Sequence, residues 1–171
     1  IYRRRLALGV SLAMAVAAVS AVLSYRNTAA SMESARLVAR TYEAISILHA
    51  TRTLMESAET TQRAYVITGQ ELHAAASEAI VPVLQELLRQ LSADLGEEVV
   101  TPLADAAFLR LDLIRRVTVI RRELGFEAAQ RMIASGEGIA AMNRFRSIAA
   151  DIERQQRNRL ADRQVRSEHA A

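Results

Sequence analysis

Cysteine, lysine and tryptophan are all missing from this 171-residue chain, and only six glycines, two prolines and seven aromatic side chains (four Tyr, three Phe) are present. Without cysteine there are no disulfides, no thiolate metal ligands and no thiol nucleophile. Without lysine there is no Walker-type phosphate clamp, and no Gly-rich loop follows a strand. His49, His73 and His169 are too scattered for a shared metal site. The serines have no His and acid partners in a hydrolytic arrangement. No catalytic residue, metal or cofactor is expected. All 22 basic residues are arginine, and the formal net charge of +3 equals the contribution of Arg3, Arg4 and Arg5. The rest of the chain is close to neutral, so the pI of 9.9 is no argument for a nucleic-acid partner.

That basic triplet opens onto a long uncharged run, Leu6 to Tyr25. About twenty apolar residues at 1.5 Å each match a bilayer core of roughly 30 Å. Arginines before the run, against Arg26 alone just after it, orient the N-terminus to the cytoplasm. The run reads as a retained transmembrane helix in contact with membrane lipid. A cleaved secretory signal is the competing reading, with Val19-Ser20-Ala21 as the small-residue site. Both place the remaining chain outside the cytoplasm. Gly9, Ala13, Ala17 and Ala21 recur at four-residue steps, a ridge of small side chains suited to a transmembrane dimer face. A homodimer is therefore expected.

Alanine, leucine, arginine and glutamate dominate the rest, and these residues lose least on becoming helical. Apolar positions recur three and four apart between Gly/Pro punctuation, with no period-2 strand pattern. The fold class is expected to be all-α: an N-terminal transmembrane helix over residues 1–26, then an elongated antiparallel four-helix bundle over 27–168. Residues 169–171 lead toward a second span. The first long helix carries Val38, Tyr42, Ile45, Leu48, Met55 and Ala58 on one face. Thr68 to Glu71 reads as a capping box that opens the second, which Pro82 kinks or restarts. Thr101-Pro102 marks the third as N-cap and first helical residue. Gly125 interrupts it, a short helix spans Phe126 to Ala134, and the last helix starts near Ile139. Helices one and four are expected to be longer than two and three.

Glu59-Thr60-Thr61-Gln62-Arg63-Ala64-Tyr65-Val66-Ile67-Thr68-Gly69 is the most informative string. Glu59 and Arg63 stand four apart with the acid first, the favourable order for a helical ion pair. The string resembles the Glu-Thr-x-x-Arg-Gly-Tyr-x-x-Thr-Gly signature of the CHASE extracellular sensory domain, third type. Ser135-Gly136-Glu137-Gly138, Met142-Asn143 and Arg146 resemble that family's second pattern, so the resemblance covers about residues 28–166. Ala64 and Thr61 stand where glycine is common, Ile139 where lysine is frequent and Asn143 where aspartate is frequent. The last two substitutions remove an ion pair from that turn.

The resemblance implies a four-helix sensory bundle flanked by membrane spans, as in bacterial histidine kinases, diguanylate cyclases and related receptors. It supplies no ligand. Glu59, Arg63, Tyr65, Asn143 and Arg146 are its implied polar network between helices one and four. Arg115-Arg116 and Arg121-Arg122 raise an anion site, but Asp112 and Glu123 beside them make a solvated charged face the simpler reading. The chain is therefore expected to be the periplasmic input region of an inner-membrane receptor, most simply a two-component sensor histidine kinase. A diguanylate cyclase, a chemoreceptor or a non-signalling anchored bundle are the alternatives.

Overall fold

A computed structural model describes the backbone of residues 2–169, and side chains continuously over 35–162 with a scatter of earlier positions. The described residues form six helices joined by one- or two-residue turns: α1 (Tyr2–Thr68), α2 (Glu71–Glu78), α3 (Ile80–Leu95), α4 (Glu97–Leu124), α5 (Phe126–Ala134) and α6 (Glu137–His169). The chain divides into two compact units, residues 1–40 and 41–171. Among the described residues no helix is long and apolar enough to cross a membrane. Much of the Leu6–Tyr25 run lies outside the described side chains. So do Gly9 and Ala13 of the small-residue ridge, while Ala17 and Ala21 are exposed.

In the second unit, α1, α3, α4 and α6 share one core. Leu48, Met55, Leu84, Leu91, Leu103, Met142 and Phe145 are among its most completely buried side chains. The stripe on α1 runs Thr41, Ala44, Leu48, Thr51, Met55, Ala58, Gln62, Tyr65, alternating steps of three and four. That alternation is the seam of helices packed at shallow angles. It displaces the expected face slightly: Tyr42 is exposed and Val38 and Ile45 are half-buried, because the seam passes through Thr41 and Ala44 instead. On α6 the same rhythm runs Met142, Phe145, Ala149, Ile152, Gln156.

Cross-helix ion pairs give the directions. Arg52 meets Glu153 at 3.2 Å and Glu59 meets Arg146 at 3.3 Å. Seven residues forward on α1 are seven residues back on α6, so these helices run antiparallel, in register over two turns. Glu59 also meets Arg110, and Val66 meets Arg121, so α4 runs in the direction of α1.

Most helix ends follow the glycines, and four junctions refine the expected boundaries. Pro82 falls in the first turn of α3, where its missing N–H has no helical partner to lose. It restarts the helix after α2 rather than kinking it. The capping box at Thr68 does not form. Thr68 Oγ1 donates back to the Ala64 carbonyl (2.7 Å) and accepts from the Gln70 N–H (3.2 Å), while Glu71 turns to other partners. Helix α4 begins at Glu97, one turn before Pro102. Thr101 is therefore inside it, its hydroxyl donating to the Glu97 carbonyl at 2.8 Å. Likewise α6 starts at Glu137, two residues ahead of Ile139.

Candidate functional site

Polar side chains interrupt the seam at one level. On α4 the buried rhythm Leu103, Ala107, Arg110, Ile114, Val117 places an arginine where an apolar residue belongs. On α1 the corresponding intruder is Gln62. Arg110 is only 5% exposed. Its Nη2 donates to Glu59 Oε1 at 3.2 Å and to Gln62 Oε1 at 3.0 Å. The other Glu59 oxygen accepts from Arg146 Nη2 at 3.3 Å. One carboxylate thus ties α1 to α4 and α6.

Burial pushes the Arg110 guanidinium below the ordinary arginine value, with Glu59 opposing the shift and the cations of Arg63 and Arg146 adding to it. Its Nε–H is buried with no hydrogen-bond partner. An orphaned buried donor is costly, and each one calls for an explanation. Space for the guanidinium comes from Gly138: a Cβ there would sit 3.4 Å from Nη1 and 3.5 Å from the guanidinium carbon. A cavity of about 100 Å³ adjoins it, lined by Glu59, Gln62, Arg63 and Arg110, by the apolar Leu113, Val117, Met132 and Ile133, and by the first turn of α6.

Two further charged clusters lie along the helices. Toward the α1 terminus, Glu71 accepts from Tyr65 Oη at 3.0 Å and from Arg122 Nε and Nη2 at 3.1 and 2.6 Å. The Arg122 hydrogen bond, then that of Tyr65, lowers the Glu71 pKa below its usual value. In the opposite direction, Glu153 gathers Arg52, His49 (3.5 Å) and Arg157 (2.7 Å). Its pKa is lowered, chiefly by the Arg157 hydrogen bond.

The five residues of the implied network therefore separate. Glu59 and Arg146 meet directly. Tyr65 belongs to the Glu71 cluster. Arg63 makes no ion pair among the described residues, so the expected Glu59–Arg63 pair is replaced by Arg110 and Arg146. It lines the cavity instead. Asn143 is exposed. Arg110 and Gln62 were not singled out from the sequence, although each breaks an apolar stripe at a seam position, and that break is the signal that marks them.

The match to known families decides the affiliation: residues 34–166 fit the CHASE3 domain. The chain belongs to the CHASE3 family. CHASE3 domains are extracellular sensory domains of signalling receptors. No curated protein and no solved structure matches the chain. Within this CHASE3 domain, Glu59 and Arg63 of the first motif and Gly138 of the second line the Arg110 cavity, Arg146 pairs with Glu59, and Tyr65 joins the separate Glu71 cluster. Thr68 and Gly69 end α1, and Gly136 (φ 80°) precedes α6.

Proposed function

We propose that the chain is the periplasmic input region of a bacterial inner-membrane receptor, with a two-component sensor histidine kinase as the favoured parent. On this reading residues 1–26 form the cytoplasmic basic start and transmembrane helix. Helices α1, α3, α4 and α6 form an up-down-up-down four-helix bundle. The CHASE3 match supports the sensory role. The carrying observation for the mechanism is the antiparallel register of α1 and α6, held by Arg52–Glu153 and Glu59–Arg146.

A change of packing in the bundle shifts α6 against α1 by about 1–2 Å, the scale of interface helix shifts that packed elements transmit between discrete states. The segment performs no reaction itself. It works as a homodimer, with the Gly9, Ala13, Ala17, Ala21 ridge as the contact within the membrane.

These 171 residues contain no cysteine, so each introduced pair is the only thiol pair within this segment. In the full receptor, pairs stepped along α1 and α6, in the Arg52–Glu153 register and one turn out of it, are expected to lock output high or low according to register. Output indifferent to every register would sink the mechanism. Which output responds (phosphotransfer, cyclic dinucleotide synthesis or chemotaxis) separates the kinase from its alternatives.

A further inference from the structure

The cavity beside Arg110 is built like an anion site with an apolar end. Three independent features meet there. First, Arg110 lines it, a guanidinium 5% exposed whose Nε–H has no partner. Second, Gly138 and Ile139 in the first turn of α6 line it as well. Their N–H groups precede the helical ladder, which opens with the Ala140 N–H donating to the Gly136 carbonyl at 3.0 Å. A helix start offers free donors and the positive end of its dipole. The guanidinium lies against this turn, in contact distance of where a Gly138 side chain would begin.

Third, the charges leave room for an anion. Glu59 is already shared by two cations, Arg110 and Arg146, while Arg63 lines the cavity without an ion pair among the described residues. Glu137 is the opposing acid on the lining. The remaining walls, Leu113, Val117, Met132 and Ile133, suit an alkyl tail. At about 100 Å³ the space is smaller than the roughly 150 Å³ engineered cavity that holds benzene, a six-atom ring, which limits an occupant to about four or five non-hydrogen atoms.

We infer that this cavity binds a short monocarboxylate of the acetate–propionate size, its carboxylate at the end lined by both Arg110 and the first turn of α6 and its tail among Leu113, Val117, Met132 and Ile133. As a signal, this ligand rests on the sensory reading above; as a bound molecule it does not. The occupant would touch α1, α4, α5 and α6 together, so its binding would bias the helix register on which output depends.

The test uses the full chain in detergent micelles, titrated with sodium propionate while the Arg110 Nε–H is followed by NMR. A saturable shift of that resonance is expected, with hexanoate and inorganic phosphate each binding at least tenfold more weakly. Arg110→Gln should weaken propionate at least tenfold, and Glu137→Gln should tighten it severalfold by removing the opposing charge. Should Arg110→Gln fail to fold, Ile133→Phe, at a half-exposed wall position, narrows the tail space and should weaken propionate more than acetate.

An Arg110 Nε–H that propionate leaves unmoved overturns the inference, as does phosphate binding equal to propionate. The two readings fail separately. Crosslink-dependent output without propionate binding removes the ligand and keeps the sensor; binding without crosslink-dependent output does the reverse.

Discussion

Arg121 closes the C-terminal end of α1 through Val66: its Nε donates to the Val66 carbonyl at 2.8 Å, one of the last carbonyls with no helical partner. The same side chain passes over Phe126 of α5, 6.0 Å from the ring centroid. It also explains Gly69. That residue has φ +69°, its N–H donates to the Tyr65 carbonyl at 2.7 Å, and a Cβ there would sit 3.1 Å from Arg121 Nη2. The backbone conformation favours glycine, and a side chain there would crowd the Arg121 guanidinium.

Gly69→Ala should therefore cost about 1–2 kcal/mol from the left-handed conformation alone, with an added penalty from crowding Arg121. A double-mutant cycle separates the two. In an Arg121→Ala background the crowding is gone, and Gly69→Ala should cost at least about 0.5 kcal/mol less. Urea denaturation of the four proteins measures this. Strict additivity would show that Arg121 swings aside freely.

Glu59 and Arg146 should respond very differently to truncation although they share an ion pair. Glu59 is 13% exposed and Arg110, its other partner, 6%, measured on the side chains. Glu59→Ala strands a buried cation, a loss of about 3–5 kcal/mol. Arg146 is 44% exposed, and Arg146→Ala leaves Glu59 paired with Arg110, so a loss under about 1 kcal/mol is expected. Thermal melts suffice. Equal losses would mean that Arg146, not Arg110, carries the contact.

This contrast shows where the sequence was readable. Helix boundaries at Gly69, Gly96, Gly125 and Gly136 were visible because glycine punctuates otherwise helix-forming segments, and the family motif was carried by contiguous residues. The site's central side chain was not. Arg110 lies 48 residues from Gln62 and 51 from Glu59 along the chain, and local spacing offers Glu59 a nearer cation at Arg63. Tertiary packing overrode that helical pair: the seam turned Arg110 inward and left Arg63 exposed. Capping at Thr68 failed for the same reason, since Glu71 gains more from Arg122 and Tyr65 than from reaching back to a helix start.

Acid should weaken the fold through three carboxylates held below their ordinary value, Glu71, Glu153 and Glu86 of α3. The pKa of Glu71 is lowered by Arg122 and Tyr65, that of Glu153 chiefly by Arg157, and that of Glu86 to about 2 by Arg89 and Gln90. A carboxylate depressed in the folded state binds fewer protons there than in the unfolded chain, so stability rises with pH across the interval between the two values. The contribution is complete above the ordinary value near 4.5 and fades as pH falls through the folded values, toward about 2 for Glu86. Denaturation midpoints should be flat from pH 7 to 5 and decline below. High salt should shrink the decline, since Glu71 and Glu86 are exposed. A midpoint that rises on acidification would contradict the assignment.

Tyr65 permits a finer dissection, because its ring and its hydroxyl serve different neighbours. The ring is 2% exposed on the α1 seam, so Tyr65→Ala opens a large cavity and should cost about 3–5 kcal/mol. Phenylalanine keeps that packing and deletes only the 3.0 Å hydrogen bond to Glu71. Arg122 still holds the carboxylate, and water reaches it, so no polar group is stranded. Tyr65→Phe should therefore cost far less than Tyr65→Ala at neutral pH. Its specific mark is in acid: with the second cause of the Glu71 depression removed, the folded pKa rises toward the unfolded one and the acid decline becomes shallower. An identical acid decline in Tyr65→Phe and the parent would assign the whole depression to Arg122 and leave the tyrosine a packing residue alone.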